Sequence, residues 1–376
     1  MEDLALYIHW PWCLKKCPYC DFNSHVATKD ETDAYTDALI ADMQNQARMI
    51  SKRQLVSIFF GGGTPSLMRP DQIKRILTAS QALFTWKADI EITLESNPTS
   101  SGYDKFQAFK DVGINRLSIG VQSLHDEHLK FLGREHSSAD AVQTAKTALS
   151  IFDNVNIDFI YGLPNQTLES WIKDLNIISE LGTTHVSAYQ LTIEPHTKFY
   201  GEVKKGKWQP LDDDTQADFF IETEKVLKSH NINGYEISNF SRNGYHCKHN
   251  FHIWQYRDYM GVGAGAHGRL KMLDNIRYST QNFKMPARYI DPVERVKHSF
   301  FSLEALSIEE QTHEHALMSL RLYDGVQINE QLSSIINNQS LKKFLSSNLL
   351  QISDTHIKVT PKGRLLLDYL LSELFI

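Results

Sequence analysis

Cys13-Leu14-Lys15-Lys16-Cys17-Pro18-Tyr19-Cys20 follows a short apolar run, Leu4 to Ile8, and holds three of the chain's four cysteines. Thiolates are soft ligands that select zinc, copper(I) or iron–sulfur clusters, so this spacing marks a metal loop. A four-iron cubane held by three thiolates leaves one iron without a protein ligand, open to a chelating small molecule. A structural zinc site, with His9 or His25 as fourth ligand, uses similar short spacings and competes with that reading. A disulfide with a spare thiol fits less well, because four cysteines in 376 residues suit a reducing compartment.

Outward from this loop, residues 4–191 alternate short β-rich runs with longer amphipathic stretches, the pattern of βα units on a parallel sheet. The runs are Leu4 to Ile8, Leu55 to Phe60, Asp89 to Glu95, Arg116 to Val121, Asn154 to Ile160 and Val186 to Leu191. Helical spacing marks Thr32 to Met49, Pro70 to Leu83, Ala139 to Ser150 and Leu168 to Leu181 between them. An open dinucleotide-binding sheet and a barrel both satisfy this periodicity. In a barrel, chemistry collects at the carboxyl ends of the strands. Polar residues fall there: the cysteine loop, then Gly61-Gly62-Gly63-Thr64, Glu95-Ser96-Asn97-Pro98, Gln122-Ser123 and, within the fifth run, Asp158.

Tyr7, the Cys-x-x-x-Cys-x-x-Cys spacing and Gly61-Gly62-Gly63-Thr64-Pro65 together resemble the radical S-adenosylmethionine superfamily. Within it the chain is similar, over nearly its whole length, to the branch of oxygen-independent coproporphyrinogen III oxidases and HemW heme chaperones. The resemblance implies an α/β fold: a partial (βα)6 TIM-type barrel and a small C-terminal winged-helix-like domain. The expected division is 1–230 for the barrel, 231–290 for a connecting segment with a heme motif, and 291–376 for the last domain. A 4Fe-4S cluster on Cys13, Cys17 and Cys20, with S-adenosylmethionine on the open iron, is implied. Matched by motif, Tyr7 lies near the cluster, and Gly62, Gly63 and Thr64 clamp the methionine moiety. Glu95, Gln122, Arg134 and Asp158 complete the cofactor site. S-adenosylmethionine offers a sulfonium, an ammonium, a carboxylate and a ribose diol, which carboxylates, a guanidinium and amides recognise.

A second dense segment runs from Gly234 to Gly268. Its His249-Asn250-Phe251-His252-Ile253-Trp254 resembles the chaperones' His-Asn-x-x-Tyr-Trp motif and departs from it at Ile253. The expected heme ligand is His249, with Trp254 against the macrocycle and Cys247 and His267 as competing ligands. Residues 263–268 satisfy Gly-x-Gly-x-x-Gly but lack a βαβ context, so a glycine-rich turn packing near the barrel is expected. Two features separate chaperone from oxidase. Phe22 stands where the oxidases carry a further cysteine, and Cys13 lies near the start where they have a long leader. The expectation is a chaperone that passes heme to an acceptor protein, with the oxidase as the alternative.

Composition bounds the partners. A net charge of −6 with 22% charged residues describes an ordinary globular chain and argues against a general nucleic-acid surface. No apolar run approaches the roughly 20 residues that span a bilayer, and the acidic Met1-Glu2-Asp3 is no export signal, so a cytoplasmic location is expected. From about Asp291 the pattern is helical, then a hairpin over Leu350 to Thr360, then a helix from Pro361. The apolar Leu365 to Ile376 is compatible with peripheral membrane contact, though its spacing suits a packed terminal helix better.

Overall fold

The computed structural model describes residues 1–26, 31–291 and 300–375; residues 292–299, part of the helical run expected from Asp291, lie outside them. The six expected strands form as β1 (Glu2–Trp10), β2 (Arg53–Gly62), β3 (Thr85–Ser96), β4 (Arg116–Gln122), β5 (Val155–Tyr161) and β6 (His185–Gln190). Each pairs in parallel with the next. Parallel neighbours cannot be joined by a tight turn, so helices return the chain. These are α1 (Thr32–Ala47), α2 (Pro70–Leu83), α3 (Tyr103–Val112), α4 (Ser138–Ile151) and α5 (Leu168–Glu180). Helix α4 starts where Ser137 and Asp140 cap each other's backbone amides.

The strands carry two sets of side chains. Ile92 and Leu94, Leu117 and Ile119, Val155 and Ile157, and Val186 and Ala188 join Ile73, Phe109, Ala145 and Leu175 of the helices in one apolar core. The alternate positions are polar: Glu91, Thr93 and Glu95; Arg116 and Ser118; Asn156 and Asp158; His185, Ser187 and Tyr189. A period of two sends the sets to opposite faces of the sheet. Barrels packed with branched aliphatics have a solid centre. This one has a polar lumen.

The sheet continues past residue 231. After α6 (Asp213–Ser229), β7 (Asn233–Gly234) and β8 (Asn239–Ser241) add antiparallel strands beyond β6. Helix α7 (Lys248–Trp254) follows, packed on β1 and β2. Then β9 (Tyr259–Val262) pairs in parallel with β1, and β10 (His267–Lys271), β11 (Arg277–Gln281) and β12 (Ser302–Ala305) extend that side antiparallel. The order is β12-β11-β10-β9-β1-β2-β3-β4-β5-β6-β8-β7. The Gly-x-Gly-x-x-Gly segment is the turn from β9 to β10. Gly263 takes φ +111° there, and a Cβ on it would lie 2.5 Å from the His9 carbonyl. Asn23 donates to the Ala264 and Lys284 carbonyls, both at 2.8 Å, tying the cysteine loop to this turn.

The last domain has its own core, with Phe344, Leu350 and Ile357 at its centre. It comprises α8 (Ile308–Ser319), β13 (Val326–Gln327), α9 (Glu330–Ile335), α10 (Asn338–Ser346), β14 (Leu350–Ile352) and β15 (His356–Val359), with sheet order β13-β15-β14. Its terminal helix α11 (Leu367–Leu374) buries Leu367, Leu370 and Leu374. Arg269–Glu314 at 2.7 Å and Arg321–Glu236 at 3.3 Å join this domain to the barrel. Among the described residues no helix is long and apolar enough to cross a membrane.

Candidate functional site

The carboxyl ends of the strands open on a cavity of about 540 Å³, within the range of small-molecule sites. All three loop cysteines line it, together with Gly62, Gly63, Thr64, Glu95, Gln122, Arg134 and Asp158. The loop is held from below and behind. Residues Trp12–Cys13 pair with His25–Val26, and the Gly63 and Thr64 amides donate to the carbonyls of Trp10 and Trp12 at 2.7 and 2.8 Å. A Cβ on Gly63 would lie 2.6 Å from the Trp12 carbonyl oxygen, so only glycine lets β2 approach the loop this closely.

Each thiol has a different neighbour. Cys13 Sγ lies 3.7 Å from the His25 carbonyl, Cys20 Sγ 3.8 Å from Ser24 Oγ, and Cys17 Sγ 3.6 Å from Arg134 Nη1. Burial, then the neighbouring thiols, raise the Cys13 pKa, a cost that a bound metal removes by taking the thiolate. Among the described residues no three His, Cys, Asp or Glu side chains converge enough to hold a single metal ion. A polynuclear cluster, whose thiolates each bind a different iron, needs no such convergence. Arg134 also donates to the Gly120 carbonyl at 2.8 Å, while its buried Nε has no partner. This leaves a cationic donor at the cavity wall, suited to a ligand carboxylate or thiolate. The donor set therefore fits a cluster together with a zwitterionic ligand.

Gln122 reaches the wall through strain. It sits at φ +70°, where the β4–β5 register slips between Gly120 and Gln122. A bulge of this kind re-aims a side chain out of the pleat. Opposite, Glu95 accepts from the Gly62 amide at 3.1 Å. Burial, with the Asp158 charge adding to it, pushes the Glu95 carboxyl up to about 8. Burial also raises Asp158, against the hydrogen bonds donated by Ser118 at 2.9 Å and Asn156 at 2.7 Å. Two acids that both resist ionisation await a cation.

Tyr7 does not reach this cavity. It lines a deeper chamber of about 270 Å³ in the lumen, which shares Glu95, Ser118, Asp158 and Tyr189 with the cavity above. Its hydroxyl donates to His9 Nδ1 at 3.0 Å, and His9 Nε2 donates to the Asn23 carbonyl at 2.9 Å, a relay from the chamber to the cysteine loop.

His249 is only 3% exposed and faces the same chamber. Its Nδ1 lies 3.0 Å from Ser57 Oγ, its ring stacks on Phe59 at 5.0 Å, and burial pushes its pKa down to about 3. The helix bearing it is seated on one carboxylate: Glu91 accepts from Lys248 N at 3.1 Å, His249 N at 3.2 Å and Cys247 Sγ at 3.6 Å. Trp254, five residues on and so about 140° around α7, points elsewhere. Its ring lies 4.6 Å from the Arg321 guanidinium of the last domain. The structure thus gathers the mouth residues in one cavity, sets Tyr7 and His249 in the chamber below, which shares Glu95 and Asp158 with it, and leaves Trp254 apart from both. Glu91, Arg116, Asn156 and Ser187 went unnoticed in the sequence, though polar residues at every second position of a covered strand were a readable signal.

A family model described as the Radical SAM superfamily matches residues 7–178, and one described as the HemN C-terminal domain matches residues 306–366. The heme chaperone HemW of Escherichia coli (strain K12) is 40% identical over 295 residues, 77% of this chain and 76% of that protein. The HemW of Bacillus subtilis (strain 168) is 32% identical over 370 residues, 96% of each. Among solved structures, the coproporphyrinogen III oxidase HemN from Escherichia coli, described as a radical SAM enzyme, matches with a TM-score of 0.81 at 25% identity. That match covers 99% of this chain and 89% of the other. Barrel, appended domain and relatives agree, and the chain belongs to the HemW family in the HemN-like branch of the radical SAM superfamily.

Proposed function

We propose that this protein is a cytoplasmic heme chaperone. In this reading Cys13, Cys17 and Cys20 hold a 4Fe-4S cluster, and S-adenosylmethionine occupies the adjoining cavity. When bound, the cluster would supply an open iron to a chelating cofactor. The chain's own residues bind and orient. Glu95 and Asp158 take the cofactor's cationic and hydroxyl donors, Arg134 meets an anionic group, and the Gly62–Thr64 backbone closes on the methionine end.

The observation that carries the chaperone reading is Phe22, in the place of the oxidases' extra cysteine. It is 57% exposed and lines the cavity, so this position adds no fourth thiol to Cys13, Cys17 and Cys20. HemW relatives that match most of this chain support the same reading. The oxidase stays as the second reading because the HemN match extends over nearly the whole fold.

For heme, His249 is the favoured ligand, since its imidazole stays neutral and its Nε2 makes no hydrogen bond among the described residues. A chamber of 270 Å³ does not admit a macrocycle, so binding there requires α7 to move. His267 is exposed and requires no such movement. Cys247 is the weakest candidate: burial pushes its thiol up to about 12. Heme delivery to an unidentified acceptor protein completes the proposal. Titrating heme into wild type, His249→Ala and His267→Ala tests it, with an altered absorption spectrum expected in His249→Ala alone. An effect confined to His267→Ala moves the ligand to the exposed site. Conversion of coproporphyrinogen III to protoporphyrinogen IX by the anaerobically reconstituted protein overturns the chaperone reading.

A further inference from the structure

Helix α7 is the wall between two spaces. His249, Asn250 and Ile253 line the 270 Å³ chamber, while Phe251 and Gln255 line a cleft of about 410 Å³ on the other side. At about 100° per residue, these two sets point to opposite faces of one short helix. The far bank of the cleft is the last domain, with His315, Leu322, His356 and Lys358. Interiors of folded proteins are close-packed, with few voids larger than a water molecule. Among the described residues, this interface leaves α7 room to swing away from the chamber.

The two ends of the helix are held differently. Its first turn sits on Glu91 of the barrel, which accepts from the amides of Lys248 and His249. Its last turn is pinned to the last domain. Trp254 places its ring 4.6 Å from the Arg321 guanidinium, and its carbonyl accepts from Ser319 Oγ at 3.4 Å. Two residues on, the Tyr256 hydroxyl donates to Glu314 at 2.8 Å. The Tyr256 ring stacks on His315 with centroids 5.8 Å apart, and the Arg277 guanidinium covers it at 4.1 Å. Glu314 is itself fixed by Arg269 at 2.7 Å.

Tyr256 also carries strain. The amides of Tyr256 and Arg257 donate to the carbonyls of Ile253 and His252 at 2.8 and 3.3 Å, a helix-terminating cap that glycine ordinarily completes. Here a tyrosine takes that place, at φ +55°. A bulky residue in the left-handed region persists only where its surroundings over-determine it. Glu314, His315 and Arg277 supply that constraint, so the cap and the contact with the last domain form and break together.

We propose that α7 is a gate, hinged at Glu91 and latched by the last domain through Trp254 and Tyr256, and that release of this latch opens the chamber. Its link to heme rests on the chaperone reading. A macrocycle reaches His249 only in the open state, so the latch sets the apparent affinity through the fraction of open molecules. Trp254 is then a restraint on heme entry and not a surface for the macrocycle.

Hydrogen–deuterium exchange on the full-length protein reads the gate without heme, and heme titration reads its consequence. Trp254→Leu removes the ring while leaving the Arg321–Glu236 pair in place, and Tyr256→Phe removes only the hydroxyl. Each should speed exchange of the α7 amides about tenfold, the factor expected for one lost contact to a charged group, and leave the β2 amides unchanged. Apparent heme affinity should rise by the same factor. A residue packed on the macrocycle would weaken binding when removed, so the sign of the change separates the two roles of Trp254. Should Trp254→Leu fail to fold, Tyr256→Phe carries the same conclusion. Unchanged α7 exchange, or a rise shared with β2, would overturn the gate. Faster exchange with unaltered or weaker binding of heme, where the spectrum depends on His249, would overturn it too. Heme that binds independently of His249, or does not bind, sinks the heme reading instead, and exchange alone then decides the gate.

Discussion

The mouth and the floor of the barrel share strands, yet they are assembled in opposite ways. The mouth is made of contiguous motifs: a cysteine loop after β1, three glycines after β2, and an arginine after the left-handed Gly133. Each motif brings its own backbone geometry, so residues near in sequence stay near in space. The floor is made of single side chains from β1 to β6, closed by a helix lying 157 residues from the carboxylate that seats it. Function written in the mouth is therefore locally encoded. Function at the floor depends on strand register, where a slip of one residue would turn every polar side chain outward.

The sharpest test of that contrast is Cys17→Ala, expected to abolish stable cluster assembly while leaving the fold intact. Iron and sulfide analysis after anaerobic reconstitution, beside a thermal melt, reads both. Unchanged cluster content would mean that the ligands are misassigned, and a large fall in melting temperature would mean that the mouth is structural too.

Glu91→Ala makes the converse test at the floor. It removes the acceptor for Cys247, Lys248 and His249 and takes away the acid 4.0 Å from buried Arg116. Breaking a buried pair in this way costs about 3–5 kcal/mol. Denaturant unfolding should show that loss, with the cysteine loop still able to assemble its cluster in protein that remains folded. A cost under about 1 kcal/mol, the range of an exposed pair, would show that the floor is not held by this carboxylate.

The smallest expected effect lies where the two regions meet, at Glu95. The free protein keeps this carboxyl protonated up to about 8, well above the ordinary 4.5. A cationic cofactor selects the carboxylate, so binding releases a proton. Affinity for S-adenosylmethionine should rise about tenfold per pH unit below 8 and level off above it, about 1.4 kcal/mol per unit. Equilibrium binding from pH 6 to 9 checks this, and a Glu95→Gln variant should lose the slope. The sign for folding is opposite. Because the folded pKa is raised, this group's contribution to stability is complete below the unfolded value and is lost as pH rises through about 8.

Much of the mouth was legible because spacing and chemistry coincide there. Three thiols in one loop are a metal signal in any fold, and Gly62, Gly63, Glu95, Arg134 and Asp158 all reach one cavity. Tyr7 shows the limit of motif matching. Its neighbourhood in sequence is the cysteine loop, but alternation along β1 turns its ring into the chamber below. His249 and Trp254 make the same point on a helix. They belong to one six-residue motif, yet the helical twist sends one into the lumen and the other against Arg321.

Local chemistry and periodicity, then, are properties of the chain alone: the cysteine loop, the βα rhythm, the small last domain and the polar alternation in β3 to β6. They follow from thiol softness and from the two repeat lengths of regular backbone. The tertiary structure decided which residues meet. Strands β7 to β11 joined the barrel sheet from a stretch expected as a connector, and β12 from the start of the stretch expected as the last domain, because an exposed edge offers unpaired amides and carbonyls to any strand that reaches it. It also decided that Arg116 would face a chamber with its counter-ion engaged elsewhere, since the partner of a buried charge is set by register across the sheet and not by distance along the chain.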